Sequence, residues 1–482
     1  MTDTPFAPSD AEIRALGAAV TDWIARHYTA LRDLPVVPDT TPAETFRCFA
    51  APVPETGTPW RELLARFEKD VVPRSFHLPS PRYFGLMNPT PLPLAVFAEA
   101  LAAALNQNLG AWHHSPAATA IEATVVRWLC DLAGYPTTSF GSLTAGGTPA
   151  NTTALKIALN AKFPAVKDSG VWGLPRRPVL YASDEAHFSI DKSANILGLG
   201  AKDGFRRVPV DTNARMDVAA LRRMVTGDRA AGLEPFCVVG IAGVTSNGVV
   251  EPLDAIADVA EELGLWYHVD AAYAAGALLS DKLRPRYQGI ERADSITMDP
   301  HKWWFMPYPC GAVLTQDGGA AEQALAAGAV YIPETEKSIE FRHHSLVGSR
   351  PFSALKLWLA MQLVGRRAYG AMAEEQIALT ERFVAELTSD GAWESVTPVD
   401  TAIAAVRFRG HGRTGARPHG KDDAMQDRIV GRVLAGRKHW VSATTTVGVR
   451  AIRVMVISYL TRWEHLEELI AELRAAAAAE AV

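Results

Sequence analysis

The sequence predicts an α/β fold with a mostly parallel central sheet. In the middle of the 482-residue chain, short apolar segments alternate with helical patterns, which is typical of parallel strands joined by helices that cover both faces of a sheet. A chain of this length with 48% hydrophobic residues can also bury a large core and is expected to divide into two or three domains. The predicted strands are 178–182, 205–209, 236–242, 265–269, 295–298 and 311–314, with helices at 188–198, 218–226 and 254–263.

The first 85 residues are predicted to form an N-terminal helical arm. Apolar residues recur at helical spacing over 10–32, where Ser9 is a candidate cap, and a second helix is predicted over 60–72. The proline-rich stretch 35–59 between them is too long for a turn, so we expect a linker or an arm laid over another surface.

Residues 86–352 are assigned to a large domain and residues 353–482 to a small C-terminal domain. The large domain is expected to begin with helices over 93–109 and 117–133, ahead of the alternating strands and helices. The small domain is predicted to be α+β. Its expected elements are helices over 355–366 and 372–387, strands over 402–408 and 451–456, and a terminal helix from about residue 464.

Composition argues against several classes of protein and site. A net charge of −5 without a basic cluster gives no surface for nucleic acid. The four cysteines are scattered without a CxxC pair, which argues against a disulfide framework or a metal site and fits a reducing cytoplasm. The N-terminus does not resemble a signal peptide, and the longest apolar stretch, 91–105, is too short to cross a bilayer. We therefore expect a soluble cytoplasmic protein with no membrane partner.

Lys302 and Asp270 form the most informative pair of residues. Lys302 follows the predicted strand 295–298, and Asp270 stands directly after the predicted strand 265–269. Open parallel sheets bind ligands at the carboxyl ends of their strands. Pyridoxal 5′-phosphate (PLP) requires this combination, because a lysine amine forms a Schiff base with it and an acid holds its ring nitrogen protonated. Taken singly, the lysine is ordinarily a solvated side chain and the aspartate a cap.

Four further segments follow or border the predicted strands. In 144–155, two glycines and a threonine enter a helix, so backbone N–H groups can form a phosphate cup; an ordinary glycine turn has the same pattern. His187 can lie flat on a cofactor ring or serve as a cap. Thr245 can donate to a ring hydroxyl or belong to a plain turn. The small side chain of Ala272 would leave room for a ring. Their convergence on one crevice favours the cofactor site.

Three motifs in this order and spacing resemble the group II PLP-dependent amino-acid decarboxylases: Ser183-Asp-Glu-Ala-His187, His268-Val-Asp-Ala-Ala-Tyr273 and Asp299-Pro-His-Lys-Trp303. This family includes aromatic-L-amino-acid, tyrosine, histidine and glutamate decarboxylases. The resemblance extends from about residue 81 to about residue 458. It implies the PLP-dependent transferase-like fold of type I and a homodimer in which the N-terminal arm embraces the partner. Both subunits would contribute to each active site, and the substrate would be an L-amino acid.

The resemblance also implies roles for individual residues. Lys302 matches the Schiff-base lysine and Asp270 the partner of the ring nitrogen. His187 and Ala272 would lie on the two faces of the ring, and Thr245 would contact its 3-hydroxyl. The residues expected at or near the phosphate are Gly147, Thr148, Asp299, His301 and Ser349 of the partner subunit.

A tyrosine on a loop is implied as the acid that protonates the substrate after loss of CO2. The corresponding loop here is 328–342, and Tyr331 is its only tyrosine. This loop is several residues shorter than in the animal aromatic enzymes. Relatives with phenylalanine at this point resemble aldehyde synthases, so Tyr331 favours simple decarboxylation. A loop aromatic packed on the surface is the alternative interpretation.

The sequence gives little information about which side chain the substrate carries. The family pocket draws on segments that here carry Thr90, Trp112 and His113, and Arg453 matches a position near the substrate. Trp112 can stack on an aromatic ring, whereas His113 and His114 can meet a carboxylate or a phenol, or pack at a dimer interface. We expect an aromatic substrate. The alternatives are an acidic or diamino acid (glutamate, aspartate or 2,4-diaminobutyrate), an aldehyde-forming oxidative decarboxylase, an aminotransferase, or a PLP-binding protein without catalysis.

Overall fold

The computed structural model describes residue 6 and residues 8–326, 338–410 and 421–481. Its large sheet has the strand order β1-β7-β6-β5-β4-β2-β3, and β7 runs antiparallel to both of its neighbours while the remaining neighbours are parallel. The α/β fold with a mostly parallel sheet is therefore confirmed. The strands are β1 (Phe140–Thr144), β2 (Pro178–Ser183), β3 (Phe205–Val208), β4 (Glu234–Ile241), β5 (Trp266–Asp270), β6 (Ser295–Met298) and β7 (Gly311–Thr315).

Helices surround this sheet and continue into the C-terminal part. No helix within the described ranges combines the length and the apolar character needed to cross a bilayer. The α-helices are α1 (Asp10–Ala30), α2 (Pro42–Phe49), α3 (Trp60–Arg66), α4 (Pro93–Leu105), α5 (Pro116–Ala133), α6 (Gly147–Lys162), α7 (Val166–Ser169), α8 (Phe188–Ile196), α9 (Val218–Ala230), α10 (Leu253–Glu262), α11 (Ala320–Leu325), α12 (Ala354–Val364), α13 (Arg366–Thr388), α14 (Lys421–Gly436) and α15 (Trp463–Ala481).

Both faces of the large sheet are buried. Along β2, Val179 and Tyr181 belong to one hydrophobic core, whereas Leu180 and Ala182 belong to a second core on the opposite face. This alternation arises because successive side chains of a strand point to opposite faces. The burial of both faces explains why the strands read as continuous apolar runs in the sequence.

A second, antiparallel sheet lies in the C-terminal part and has the order β10-β11-β9-β8. Side chains from α13, α14 and α15 pack on it in a core of their own. The small α+β unit is thus present, while the boundaries 1–85, 86–352 and 353–482 stay predictions. The strands are β8 (Trp393–Ser395), β9 (Ile403–Phe408), β10 (Ser442–Thr446) and β11 (Val449–Met455).

The stretch 35–59, which is expected to be a linker or an arm, contains the helix α2. Thr41 caps this helix, Glu44 closes a capping box with it, and Pro42 occupies the first turn, where proline costs no hydrogen bond. These signals were present in the sequence and outweigh the proline content around them.

Candidate active site

A cavity of about 330 Å³ opens where strands β2, β4, β5 and β6 reach their carboxyl ends, facing the N-terminus of α6. This volume is within the range of small-molecule sites. The structure brings nine of the predicted residues to its wall: Gly147, Thr148, His187, Thr245, Asp270, Ala272, Asp299, His301 and Lys302.

The N-terminus of α6 is built to receive an anion. No side chain caps this helix, and its first turn contains no acidic residue, so Gly147 and Thr148 begin the helix at the cavity wall, with the Asp299 carboxylate close to the Gly147 N–H. Gly146 has a φ of +148°, and a Cβ there would lie 3.0 Å from the His301 ring. A Cβ on Gly147 would lie 2.8 Å from Oδ2 of Asp299. The two glycines therefore allow this turn to pack closely on His301 and Asp299, and the uncapped helix end suits the phosphate of PLP.

Lys302 reaches the cavity beside a buried carboxylate. Its Nζ lies 2.9 Å from Oδ2 of Asp299, whose side chain is only 1% exposed. The other oxygen of Asp299 is buried without a hydrogen-bond partner in the described part of the chain. Burial raises the pKa of Asp299 above its ordinary value, and the neighbouring Lys302 opposes that rise. An orphaned buried oxygen next to an amine is consistent with a site that a polar group completes.

His301 is held in one tautomer. Its Nδ1 accepts a hydrogen bond from the backbone N–H of Cys310 at 3.1 Å, so the ring proton is on Nε2. Burial lowers the pKa of His301 to about 3, and the nearby Lys302 adds to this effect. His301 is therefore a neutral donor at the wall of the cavity, stacked on the ring of Tyr308 at 4.0 Å.

Asp270 is buried at the end of β5 with both carboxylate oxygens engaged. Oδ1 accepts from the backbone N–H of Ala272 at 3.1 Å, and Oδ2 accepts from the amide of Asn151 at 2.8 Å. These contacts fix the carboxylate in a mostly buried position, where only 7% of the residue is exposed. Its placement suits the recognition of a protonated ring nitrogen.

His187 begins α8 and is also held by its Nδ1 atom. This nitrogen accepts from the backbone N–H of Ser189 at 3.2 Å and lies 2.9 Å from the Ser189 hydroxyl. Burial lowers the pKa of His187, which Asp270 partly counteracts. A neutral imidazole on the cavity wall is able to lie against a flat ring.

The loop that carries Thr245 is bound by a buried arginine. Arg453 donates to the carbonyl oxygen of Thr245 at 2.7 Å, to that of Gly85 at 3.1 Å and to the hydroxyl of Ser442 at 3.1 Å. Burial lowers the pKa of Arg453 to about 10. Arg453 thus lies behind the Thr245 loop and does not line the cavity.

The remaining predicted residues are placed elsewhere. Trp112 is half-buried and His113 is exposed in a 3-10 turn, Trp112–His114, away from the cavity wall. Thr90 is fully buried, and its hydroxyl lies 2.6 Å from the Pro79 carbonyl oxygen and 2.7 Å from the Ser458 hydroxyl. Ser349 is exposed, and Tyr331 lies outside the described residues.

Trp112 and Ser349 lie on segments that are bound to each other. The segment before Trp112 is bound to the segment around Ser349, because the Leu109 N–H donates to the carbonyl oxygen of Arg350 at 3.0 Å. The Arg350 N–H in turn donates to the Asn108 side chain at 3.0 Å. Residues predicted to contact the substrate and the partner's phosphate therefore share one surface of this subunit.

Four polar side chains of the cavity wall were not predicted from the sequence: Asn151, Ser189, Tyr273 and Tyr308. Asn151 and Ser189 lie inside helices, where a polar residue has no distinctive pattern. A usable signal was present, since Asn151 and the two threonines after it are polar residues on a helix that packs on the sheet.

Comparison with known proteins shows the family of this chain. Residues 42–411 match the family described as "Pyridoxal-dependent decarboxylase conserved domain". An aromatic-L-amino-acid decarboxylase of Bacillus atrophaeus is 33% identical over 402 residues, which cover 82% of each chain. The crystal structure of Oryza sativa TDC with PLP and tryptamine superposes with a TM-score of 0.92 at 26% identity, covering 99% of each chain.

A structure with a different named activity is also similar. The glutamate decarboxylase domain of a Vibrio parahaemolyticus protein, named as diaminobutyrate-pyruvate transaminase and L-2,4-diaminobutyrate decarboxylase, superposes with a TM-score of 0.84 at 26% identity. It covers 98% of this chain and 97% of that chain. The type I fold and the PLP cofactor are confirmed, and the protein is a carboxy-lyase that acts on an amino acid. The chain belongs to the pyridoxal-dependent decarboxylase family.

Proposed function

We propose that the enzyme converts an aromatic L-amino acid to its amine and CO2 in the cavity around Lys302. The observation that carries this proposal is the convergence of Lys302, Asp270 and the uncapped N-terminus of α6 on one cavity. The aromatic substrate is supported by the named activity of the Bacillus relative and by the tryptamine that accompanies PLP in the rice structure.

The cavity residues divide into three groups by what they hold. Lys302 supplies the amine that binds the cofactor, and Asp270 keeps a proton on the ring nitrogen. His187 and Ala272 enclose the ring from its two faces, while Thr245 donates to the ring hydroxyl. The phosphate lies at the first turn of α6, and the residues at or near it are Gly147, Thr148, Asp299, His301 and Ser349 of the partner subunit.

The bound cofactor supplies an electron sink for the bond between the α-carbon and the carboxylate. The chain supplies positioning and protons around that bond. Asp270 presents a fixed carboxylate, so positive charge is stabilised at the ring nitrogen. Lys302, 2.9 Å from Asp299, has a carboxylate beside it that can hold its proton whenever the amine is displaced by substrate.

The active form is proposed to be a homodimer. Helix α1 contains no buried residue, and its apolar residues Ile13, Leu16 and Val20 are 57%, 40% and 38% exposed. An apolar stripe of this kind on an N-terminal helix fits a surface that a second subunit covers. The shared surface of Trp112 and Ser349 supports the same conclusion, because neither residue lines the cavity of its own chain.

The substrate side chain is proposed to lie between the cavity and Trp112 of the partner subunit. A half-buried indole suits an aromatic ring, which favours the aromatic substrate over an acidic one. His113 of the partner subunit is exposed enough to reach the same space. The substrate contact predicted for Thr90 stays a prediction, and the burial of its hydroxyl does not support it. Arg453 is proposed to act on the substrate side by fixing the Thr245 loop.

The enzyme is proposed to work in the cytoplasm. The four cysteines are all free, and Cys130, Cys237 and Cys310 are buried. Burial raises the pKa of Cys310 to about 12, so this thiol stays protonated at neutral pH. Free thiols of this kind fit a reducing compartment.

A panel of the twenty amino acids and 2,4-diaminobutyrate, with added PLP, tests the substrate proposal. We expect CO2 and the matching amine in equal amounts from tryptophan, tyrosine or phenylalanine. Turnover confined to glutamate, aspartate or 2,4-diaminobutyrate would assign the acidic or diamino alternative. Cofactor binding without CO2 release from any amino acid would contradict the proposed function and favour an aminotransferase or a non-catalytic protein.

Replacing Tyr331 by phenylalanine is expected to suppress amine formation at least about tenfold and to raise aldehyde output, because the α-carbon loses its proton donor and reaction with oxygen competes. The measurement is the ratio of amine to aldehyde in air. Tyr308→Phe is the comparison, since Tyr308 lines the cavity and its hydroxyl donates to the Met87 carbonyl oxygen at 3.1 Å. An unchanged amine yield in Tyr331→Phe would remove Tyr331 from the mechanism, and a product change in Tyr308→Phe instead would assign the donor there.

A further inference from the structure

Asn151 stands at the centre of a buried polar cluster that extends from the cavity wall into the interior. It lies on α6, is 1% exposed and uses both ends of its amide. Its Nδ2 is 2.8 Å from Oδ2 of Asp270 and 2.9 Å from the Ser189 hydroxyl. Its Oδ1 is 3.0 Å from Nε2 of His268. One amide therefore contacts three side chains, two of which lead to the cofactor cavity.

The orientation of this amide is determined by its partners. The carboxylate of Asp270 can only accept hydrogen bonds, so the NH2 end of Asn151 must face it. The carbonyl end then faces His268, and Nε2 of that ring must carry the proton. Burial lowers the pKa of His268 to about 4, so the ring is neutral at physiological pH and has no second proton.

The series of hydrogen bonds continues from His268 to Ser295 and Trp266. With its proton on Nε2, His268 accepts at Nδ1 from the Ser295 hydroxyl, 2.9 Å away; the Ser295 carbonyl oxygen at 3.1 Å has no proton to offer. The hydroxyl oxygen of Ser295 accepts a hydrogen bond from the indole N–H of Trp266 at 2.9 Å, and an indole N–H can only donate. The direction of donation is set at Asp270, and the hydrogen bond from Trp266 leaves the Ser295 proton available for His268.

A second series of hydrogen bonds runs from Asn151 through Ser189 to His187. The Ser189 oxygen accepts from Asn151, so its own proton is free to donate to Nδ1 of His187 at 2.9 Å. The backbone N–H of Ser189 donates to the same nitrogen at 3.2 Å. His187 is therefore left with its single proton on Nε2.

We propose that Asn151 is a positioning residue whose one amide orients the Asp270 carboxylate directly and, through the Ser189 hydroxyl, orders a hydrogen bond to Nδ1 of His187. This inference rests on the proposed function, in which Asp270 meets the ring nitrogen and His187 meets the ring face. Asn151 acts through these two residues. The two groups that touch different parts of the ring are thereby linked to a single side chain, with His268, Ser295 and Trp266 as its buried support.

Two variants separate the branches. Asn151→Ala removes the donor to Asp270 and to the Ser189 hydroxyl, whereas Ser189→Ala removes the hydroxyl that contacts His187 and leaves the donor to Asp270 in place. Asn160→Ala is the matched control, because Asn160 lies on the same helix, is 7% exposed and does not line the cavity. The readouts are solid-state 15N NMR of holoenzyme with 15N-labelled PLP, the 15N pattern of labelled histidine, and kcat/KM.

In Asn151→Ala, we expect the ring-nitrogen signal to shift toward that of unprotonated pyridine and the His187 signals to shift slightly, because both Ser189 donors to Nδ1 remain. We expect kcat/KM to fall about 10- to 100-fold, which is the range for a lost hydrogen bond to a charged group. Ser189→Ala should shift the His187 signals alone, and by more than Asn151→Ala does, because it removes one of the two donors to Nδ1. Asn160→Ala should leave both sets of signals as in the unmodified enzyme.

Unchanged ring-nitrogen and His187 signals in Asn151→Ala would overturn the proposal even if activity fell, because a structural role alone explains such a loss. If Asn151→Ala retains no cofactor, Ser189→Ala still decides: unchanged His187 signals there would overturn the proposal. Asp270→Asn distinguishes the underlying assignment. A ring-nitrogen signal that does not respond to Asp270→Asn would show that the proposed role of Asp270 has failed, whatever Asn151 does.

Discussion

Lys302→Arg is expected to lower decarboxylation by about 10³-fold or more while leaving the fold intact. Arginine keeps a cation beside Asp299, so the buried carboxylate retains its partner. Its delocalised, permanently charged guanidinium cannot replace the lysine amine that binds the cofactor. The measurement combines CO2 release with the visible absorption of the bound cofactor, which should be lost together with activity.

Lys302→Ala separates the chemical role from the structural one. This change also removes the ion pair and leaves Asp299 buried without its cation, so we expect a lower Tm than in Lys302→Arg. Lys192→Ala is the matched control, because Lys192 is an exposed lysine on α8 outside the cavity wall. Visible absorption that persists in Lys302→Ala would show that another lysine holds the cofactor.

Asp270→Asn is expected to lower kcat/KM by about 10²- to 10⁴-fold and to weaken cofactor binding. The amide of asparagine can donate to the ring nitrogen and would stabilise it without its proton, which weakens the electron sink. The loss also disturbs the contacts of Asp270 with Asn151 and Ala272, so a structural effect must be separated from the electronic one.

A cofactor analogue methylated at the ring nitrogen makes that separation. Its permanent positive charge no longer depends on an acid, so it should restore part of the activity of Asp270→Asn while giving no benefit to the unmodified enzyme. Absence of any rescue, with the analogue shown to be bound, would contradict the role assigned to the Asp270 carboxylate.

Much of the large domain could be predicted because its strands are buried on both faces. Strand β6 was predicted with its observed bounds, and β5 to within one residue, since continuous apolar runs between helical patterns are unambiguous at this length. Strand β1 was missed. It has five residues and pairs only with β7, at the end of the sheet, so its sequence carries little periodicity.

The sequence predicted the candidate site residues that lie at strand ends or in loops. It did not predict the residues inside helices and strands that contact them. Lys302, Asp270 and His187 all lie in loops or at strand ends. Polar residues at these places indicate a functional site, because open parallel sheets bind ligands at the carboxyl ends of their strands. Asn151 lies inside a helix and His268 inside a buried strand, and their importance follows from contacts between distant parts of the chain. Trp112 and Ser349 do not line the cavity of their own chain, and in the proposed homodimer they would complete the cavity of the partner subunit, which a single chain does not contain.

Chemical trapping of the cofactor tests the central assignment most directly. Reduction of the holoenzyme with borohydride makes the link between the cofactor and its lysine permanent, and mass spectrometry of the digested protein then locates the modified residue. We predict a single phosphopyridoxyl group on Lys302, in the peptide that contains Asp299 and His301. Modification of any other lysine, with Lys302 unmodified, would contradict the assignment of this cavity as the active site.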